Sequence, residues 1–235
     1  MIDIHCHILP GLDDGPGNID VSLAMAAAAA QDGIRAIIAT PHTDGIRVNS
    51  ISVEKGVRRL NEELRREKIN IQIYSGYEIP SYLIPSLGQT HRLAGSNHIL
   101  LEFPHTHLPA DALITVSAAI TRGLYPIIAH PERNPDILAE PELLMDLVAA
   151  GALVQLTAVS ICGDLGSDIR QCSHYLLQKN LVHFIATDSH SPSFREPVLS
   201  RARNIAEKLV GREQAAMLVE HNPAGIIRKE ERCGR

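Results

Sequence analysis

The sequence has no C-x-x-C pair, no long apolar run and no excess of basic residues. Cys6, Cys162, Cys172 and Cys233 are scattered singly. That excludes a thiolate-rich structural zinc site and argues against a disulfide framework. It suits reduced thiols and a cytoplasmic location. The longest apolar stretch, near Leu23 to Ala30, is far shorter than the roughly 20 residues of a membrane helix, so no membrane insertion is expected. The opening MIDIHCHILPGLDDGP lacks the basic start and apolar run of a secretory signal. With 22 basic and 27 acidic residues the net charge is −5, which argues against nucleic acid as a partner. A few arginines holding a small phosphorylated group remain compatible with that charge.

Several catalytic signatures are also missing. No cysteine is followed six residues later by arginine, which excludes the cysteine-phosphatase loop. There is no G-x-x-x-x-G-K-[ST] nucleotide loop, no G-x-G-x-x-G fingerprint and no G-x-S-x-G nucleophile elbow.

What is present is an alternation. Runs rich in β-branched residues mark strands at 2–6, 35–39, 71–75, 98–103, 125–129, 153–157 and 182–187. Helical stretches are expected near 21–31, 53–67, 110–122, 141–150, 168–178, 196–210 and 213–221. Gly33, Gly123 and Gly151 each fall between a helix and the next strand, where a left-handed backbone ends the helix. The pattern predicts a parallel sheet, open or closed into a barrel, in one domain over residues 1–235.

Position then singles out the functional residues. The first strand carries His5 and His7, and the second leads into His42. Glu78 follows the third, Glu102 ends the fourth and His130 follows the fifth. The seventh ends in Asp188 and His190, whereas the sixth supplies only Thr157. In a parallel α/β barrel these strand ends share one face, where active sites form. His5 and His7, two apart, share a face of their strand, and Cys6 points toward the packing helices. Of Asp13 and Asp14 in GLDDGPG, either is a candidate further ligand. His91, His98, His105, His107, His174, His183 and His221 lack this context and are read as surface or structural residues.

Imidazoles and carboxylates without thiolate suit catalytic Mn, Fe, Co or Zn. So many donors exceed one coordination shell, which implies two or three ions, with Glu78 and Glu102 as candidate bridges. Closely spaced ions hold hydroxide for in-line attack on phosphorus, or hydrolyse amides. Arg133 in HPERN and Arg195 in SHSPSFREP follow strands on the same face, where guanidinium forks would bind phosphate oxygens.

The segments DIHCH, LPGLDDGP, ATPH, GYEI, HILLEFP, PIIAHPERN, GALVQLT and LVHFIATDSH together resemble the polymerase-and-histidinol-phosphatase (PHP) superfamily. The chain is most similar to its bacterial protein-tyrosine phosphatase branch, associated with capsule and exopolysaccharide synthesis. The resemblance runs from residue 1 to about residue 205. It implies a distorted (β/α)7 TIM-like barrel of the PHP type with three metal ions, usually manganese. It favours Asp14 over Asp13, so that the ligands become His5, His7, Asp14, His42, Glu78, Glu102, His130, Asp188 and His190, with Arg133 and Arg195 near the phosphate. It implies hydrolysis of phosphotyrosine in the tyrosine-rich tail of a membrane-associated tyrosine autokinase. A small phosphomonoester such as histidinol phosphate is the alternative substrate. A non-catalytic, metal-stabilised regulatory module is the alternative of another kind. Thr43 stands where many relatives have a second histidine, VSICG replaces a hydroxyl-rich stretch, and the tail RKEERCGR matches no motif.

Overall fold

A computed structural model of the chain describes residues 1–86, 90–193 and 195–227. Cys233 and the tail 228–235 lie outside the described residues. The strands are β1 (Ile2–Cys6), β2 (Ala36–Ala39), β3 (Gln72–Ser75), β4 (Glu78–Pro80), β5 (His98–Glu102), β6 (Tyr125–Ala129), β7 (Leu153–Thr157) and β8 (Phe184–Ala186). The helices are α1 (Ile19–Gln31), α2 (Ser50–Arg66), α3 (Ala112–Thr121), α4 (Pro135–Ala139), α5 (Leu143–Ala149), α6 (Ala158–Cys162), α7 (Ser167–Gln178), α8 (Ser200–Val210), α9 (Arg212–Ala216) and α10 (Asn222–Ile227). Every strand pairing is parallel, within one sheet β1-β2-β3 and a second β4-β5-β6-β7-β8.

The sheets touch at two places. A parallel bridge joins Cys6 to Ser189 beyond β8, and another joins His42 beyond β2 to Glu78 of β4. Backbone hydrogen bonds support each bridge, from His7 N to Ser189 O (2.9 Å) and from Glu78 N to Pro41 O (3.2 Å).

Among the described residues eight strands stand where seven are expected, because the third breaks after Ser75. β3 pairs with β2, and after Gly76 and Tyr77 the chain pairs with β5 instead. Gly76 has a steric reason to be glycine. A Cβ there would lie 2.6 Å from Ile38 Cγ2 and 2.8 Å from Leu93 Cδ2, both fully buried side chains. Gly76→Ala is therefore expected to destabilise the protein by about 1–3 kcal/mol through overpacking. Chemical denaturation measures this as a lower midpoint at unchanged slope.

The anticipated helices form, flanked by shorter ones not anticipated, α4 and α6. Asn18 caps α1 by accepting from Val21 N, and Asn49 with Ser52 forms a capping box on α2. Gly33, Gly123 and Gly151 have φ of 85°, 76° and 103°, the left-handed helix exits their positions suggested. Helix α8 starts at Ser200 rather than Glu196, since Pro197 intervenes and its cap comes from far away. The Asp32 carboxylate at the end of α1 accepts from Leu199 N (2.7 Å), Ser200 N (3.0 Å) and the Ser200 hydroxyl. The expected helix 213–221 is α9 followed by a π-turn over Met217–His221, which runs into α10. None of the described helices is long and apolar enough to cross a membrane.

Two apolar clusters hold the sheets. The larger packs strand residues such as Cys6, Ile37, Leu101 and Val154 against the helices. The smaller collects Ile2, Ile4, Ile38, Leu100, Ile127 and Ala186 from both sheets, covered by Ala224 and Ile226 of α10. Strand β1 contributes to both because its register against β2 shifts between Asp3 and Cys6, adding one residue to β1. Such a bulge resets the alternation of side chains and re-aims the following ones. Ile4 stays in the smaller cluster, Cys6 enters the larger, and His5 is freed to face the strand ends.

Candidate metal centre

The carboxyl ends of the strands, the usual ligand-binding edge of parallel sheets, gather all nine expected donors. His5 Nε2 lies 3.2 Å from His7 Nε2, 3.3 Å from Glu78 Oε2 and 3.3 Å from Asp188 Oδ1. His7 Nε2 lies 3.2 Å from Glu78 Oε2 and 3.4 Å from Asp188 Oδ1. His42 Nδ1 is 3.1 Å from Glu78 Oε2 and 3.7 Å from Glu102 Oε2, while His130 Nε2 is 2.8 Å from Glu78 Oε1. Asp14 is exposed, yet its Oδ1 lies 3.3 Å from His190 Nε2 and 3.8 Å from His42 Nε2. The donors thus form overlapping groups, among them His5–His7–Glu78, His5–His130–Asp188 and His7–Asp14–His42–His190.

Three of the residues shaping this edge hold left-handed backbone without being glycine: His130 (φ 33°), Asp188 (φ 50°) and Arg195 (φ 53°). That conformation is unfavourable for residues with a Cβ, and its concentration at one cluster marks a functional surface.

The donors fit divalent cations. Glu78 Oε2 is buried and has no hydrogen-bond partner among the described residues, although three imidazole nitrogens stand 3.1–3.3 Å away. A buried oxygen left unpaired costs about 1–3 kcal/mol or more. A cation shared by this oxygen and those nitrogens satisfies all of them. The electrostatics agree. Burial opposes ionisation of Glu78 and Asp188, but the surrounding imidazoles outweigh it, His5 foremost by charge, and hold both pKa values well below the usual carboxylate range. Burial also disfavours a charge on His5, and the attraction of Glu78 and Asp188 overrides it, raising the pKa. Burial and the nearby His7 push His190 down to about 4, which keeps it a neutral donor.

A ring of supporting residues orients the donors. The Asp13 carboxylate accepts from His7 Nδ1 (2.6 Å) and from the backbone amides of Gly15 (3.0 Å) and His42 (3.1 Å). Gln155 Oε1 accepts from His5 Nδ1 (2.9 Å), which turns His5 Nε2 toward the cluster. Asp3, buried beneath it, accepts from His5 N, Thr187 N and the Thr187 hydroxyl, so one carboxylate ties β1 to the chain leaving β8. Burial raises the Asp3 pKa to about 6. Removing such a partner costs metal affinity, so Asp13→Ala is expected to weaken divalent-cation binding about 10–100-fold. Equilibrium dialysis against Mn2+ checks it, and unchanged affinity would show Asp13 to be a simple turn residue.

The nine residues singled out from the sequence lie together at this edge, and the supporting ring around them was not anticipated. The Asp13–Asp14 alternative resolves into two jobs, Asp13 orienting His7 and Asp14 facing His42 and His190. Arg133 and Arg195 converge on Asp188, with Arg133 Nη1 2.7 Å from Oδ2 and Arg195 Nη2 2.8 Å from Oδ1. Arg133 Nε and Nη2 are buried and unpartnered among the described residues. Thr43 is turned away, its hydroxyl donating to Val48 O (2.6 Å), so the replaced histidine leaves a turn. Of the histidines set aside, His91 packs on Tyr77, His98 on Tyr125, His174 bonds Ile161 O and His183 accepts from Val154 N. His105 is exposed at the surface, as expected, and lies 3.1 Å from Glu102 Oε1 at the rim of the cluster.

Parallel strands ending in imidazoles and carboxylates define an α/β protein of the kind that assembles divalent cations at its strand ends. More specifically, the chain belongs to the CpsB/CapC family of capsular polysaccharide synthesis proteins, whose profile matches residues 1–228. It is 40% identical to the tyrosine-protein phosphatase YwqE of Bacillus subtilis (strain 168), over 94% of this chain and 89% of that one. It is 27% identical to the tyrosine-protein phosphatase CpsB of Streptococcus agalactiae serotype III (strain NEM316), over 97% of this chain and 98% of that one. A solved structure, from crystal structures of YwqE from Bacillus subtilis and CpsB from Streptococcus pneumoniae described as metal-dependent tyrosine phosphatases, matches with a TM-score of 0.90 at 37% identity. That match covers 98% of this chain and 95% of the other.

Proposed function

We propose that this chain is a metal-dependent protein-tyrosine phosphatase acting in the cytoplasm, with the tyrosine-rich tail of a membrane-associated tyrosine kinase of capsule or exopolysaccharide synthesis as substrate. The observation that carries the reading is the Glu78 oxygen that faces three imidazoles and, like Nε and Nη2 of Arg133, has no hydrogen-bond partner among the described residues. Family membership and the activity named for its relatives support it.

In this reading His5, His7, Asp14, His42, Glu78, Glu102, His130, Asp188 and His190 hold two or three ions. Manganese is the expected metal, and Fe, Co or Zn would suit the same donors. When bound, such ions activate water for in-line attack on phosphorus and neutralise the phosphoryl oxygens. Arg133 Nε and Nη2 donate to the transferred phosphoryl group, while Nη1 stays on Asp188. Arg195, fixed by the Asp188 carbonyl through Nε (3.1 Å) and Nη2 (3.0 Å), lends positive charge beside it. Tyrosinate, with a pKa of about 10, leaves with little need of a dedicated acid.

We further read the two sheets as one distorted (β/α)7 barrel in a single domain. β3 and β4 are then halves of its third strand, and the bridges at Cys6–Ser189 and His42–Glu78 are its seams.

Chelation should abolish hydrolysis of a phosphotyrosine peptide, and Mn2+ should restore it, with phosphoserine peptide and histidinol phosphate turned over far more slowly. Faster turnover of histidinol phosphate would instead select the small-molecule substrate.

A further inference from the structure

Glu102 faces in two directions. Its Oε2 looks toward His42, at 3.7 Å from Nδ1. Its Oε1 looks outward, 3.1 Å from His105 Nε2 and 3.8 Å from His130 Nε2. The His105 and His130 rings stack, with centroids 5.7 Å apart and planes inclined by 17°. Donor atoms of Glu102, His105 and His130 consequently all lie within 4.8 Å of one another.

We infer that His105 is an additional metal ligand, holding with Glu102 and His130 an ion at the solvent-facing rim of the cluster. The inference rests on the metal reading above and adds a residue to it. Beyond its stacking on His130, packing does little to hold His105 there, because its side chain is two-thirds exposed (67%) while that of His130 is buried. A carboxylate–imidazole pair at such an exposed position contributes at most about 1 kcal/mol, little against the freedom of the side chain in solvent. Two near-parallel imidazoles presenting nitrogens to one carboxylate oxygen form instead an N,N,O donor set suited to Mn, Fe, Co or Zn. Glu102, His105 and His130 would hold such an ion, and His105, the most exposed of the three, would be the donor nearest solvent.

The same loop carries the control. His107, two residues on, is paired with Thr106 (3.0 Å) and belongs to none of the donor groups.

The test is calorimetric titration of chelator-stripped full-length protein with Mn2+, comparing wild type, His105→Ala, His105→Gln and His107→Ala. The expected result is a loss of at least about tenfold in the affinity of one class of ion in both His105 variants. The remaining ions and His107→Ala should titrate as in wild type. In Co2+-loaded protein the visible absorption of that site should change in the His105 variants alone, while circular dichroism confirms an unchanged fold. His105 variants with wild-type stoichiometry, affinities and Co2+ spectrum would overturn the inference and leave His105 a plain partner of Glu102. Wild-type protein taking up no Mn2+ would overturn the metal reading itself, and this inference with it.

Discussion

Glu78→Gln is expected to lower phosphotyrosine turnover about a thousandfold or more, with loss of bound metal. One Glu78 oxygen faces His130 at 2.8 Å and the other faces His5, His7 and His42, so it is the residue through which most other donors meet. Glutamine keeps the shape but removes the charge and replaces one oxygen by an amide that repels a cation. Removing a single well-aimed electrostatic stabiliser already costs 10²–10³-fold, and here the assembly of the ions is lost as well. Elemental analysis and turnover of an aryl phosphate check both parts. A Glu78→Gln protein with full metal content and near-normal turnover would remove Glu78 from the centre of the site.

Arg133→Ala should cost about a hundredfold in turnover, roughly 2.7 kcal/mol of transition-state stabilisation, while leaving the metal content close to wild type. Its guanidinium does two things at once. Nη1 donates to Asp188 Oδ2 at 2.7 Å, and Nε and Nη2 remain buried without a partner among the described residues. Two parallel N–H groups match two phosphoryl oxygens, and a lysine ammonium, being a point charge, cannot reproduce the fork. Arg133→Lys should therefore rescue little. Both variants should also resist inhibition by inorganic phosphate. Unchanged phosphate inhibition alongside unchanged turnover would assign Arg133 to Asp188 alone.

Much of this was legible before any coordinates. β-branched runs and interposed glycines marked the strands, and a donor at the end of nearly every strand marked the cluster, because a parallel sheet brings equivalent ends together. What stayed hidden depends on backbone detail. No residue type announces the bulge that frees His5 from the alternation of β1, nor the break that Gly76 permits between β3 and β4. The left-handed conformations of His130, Asp188 and Arg195 are held by surrounding structure rather than by glycine. Supporting contacts such as Gln155–His5 and Asp32–Ser200 span more than a hundred residues, beyond the reach of local pattern. His105 lies outside the strand-end pattern because it follows the end of β5, yet three residues on from Glu102 its ring returns to within 3.1 Å of the carboxylate.

The central claim is that divalent cations sit among these side chains, and anomalous diffraction from Mn2+-loaded crystals tests it most directly. The account predicts strong manganese peaks within bonding distance of His5, Glu78 and Asp188, with at least one more ion toward His42 and His190. Crystals of active protein with no anomalous peak between His5, Glu78 and Asp188 would contradict it.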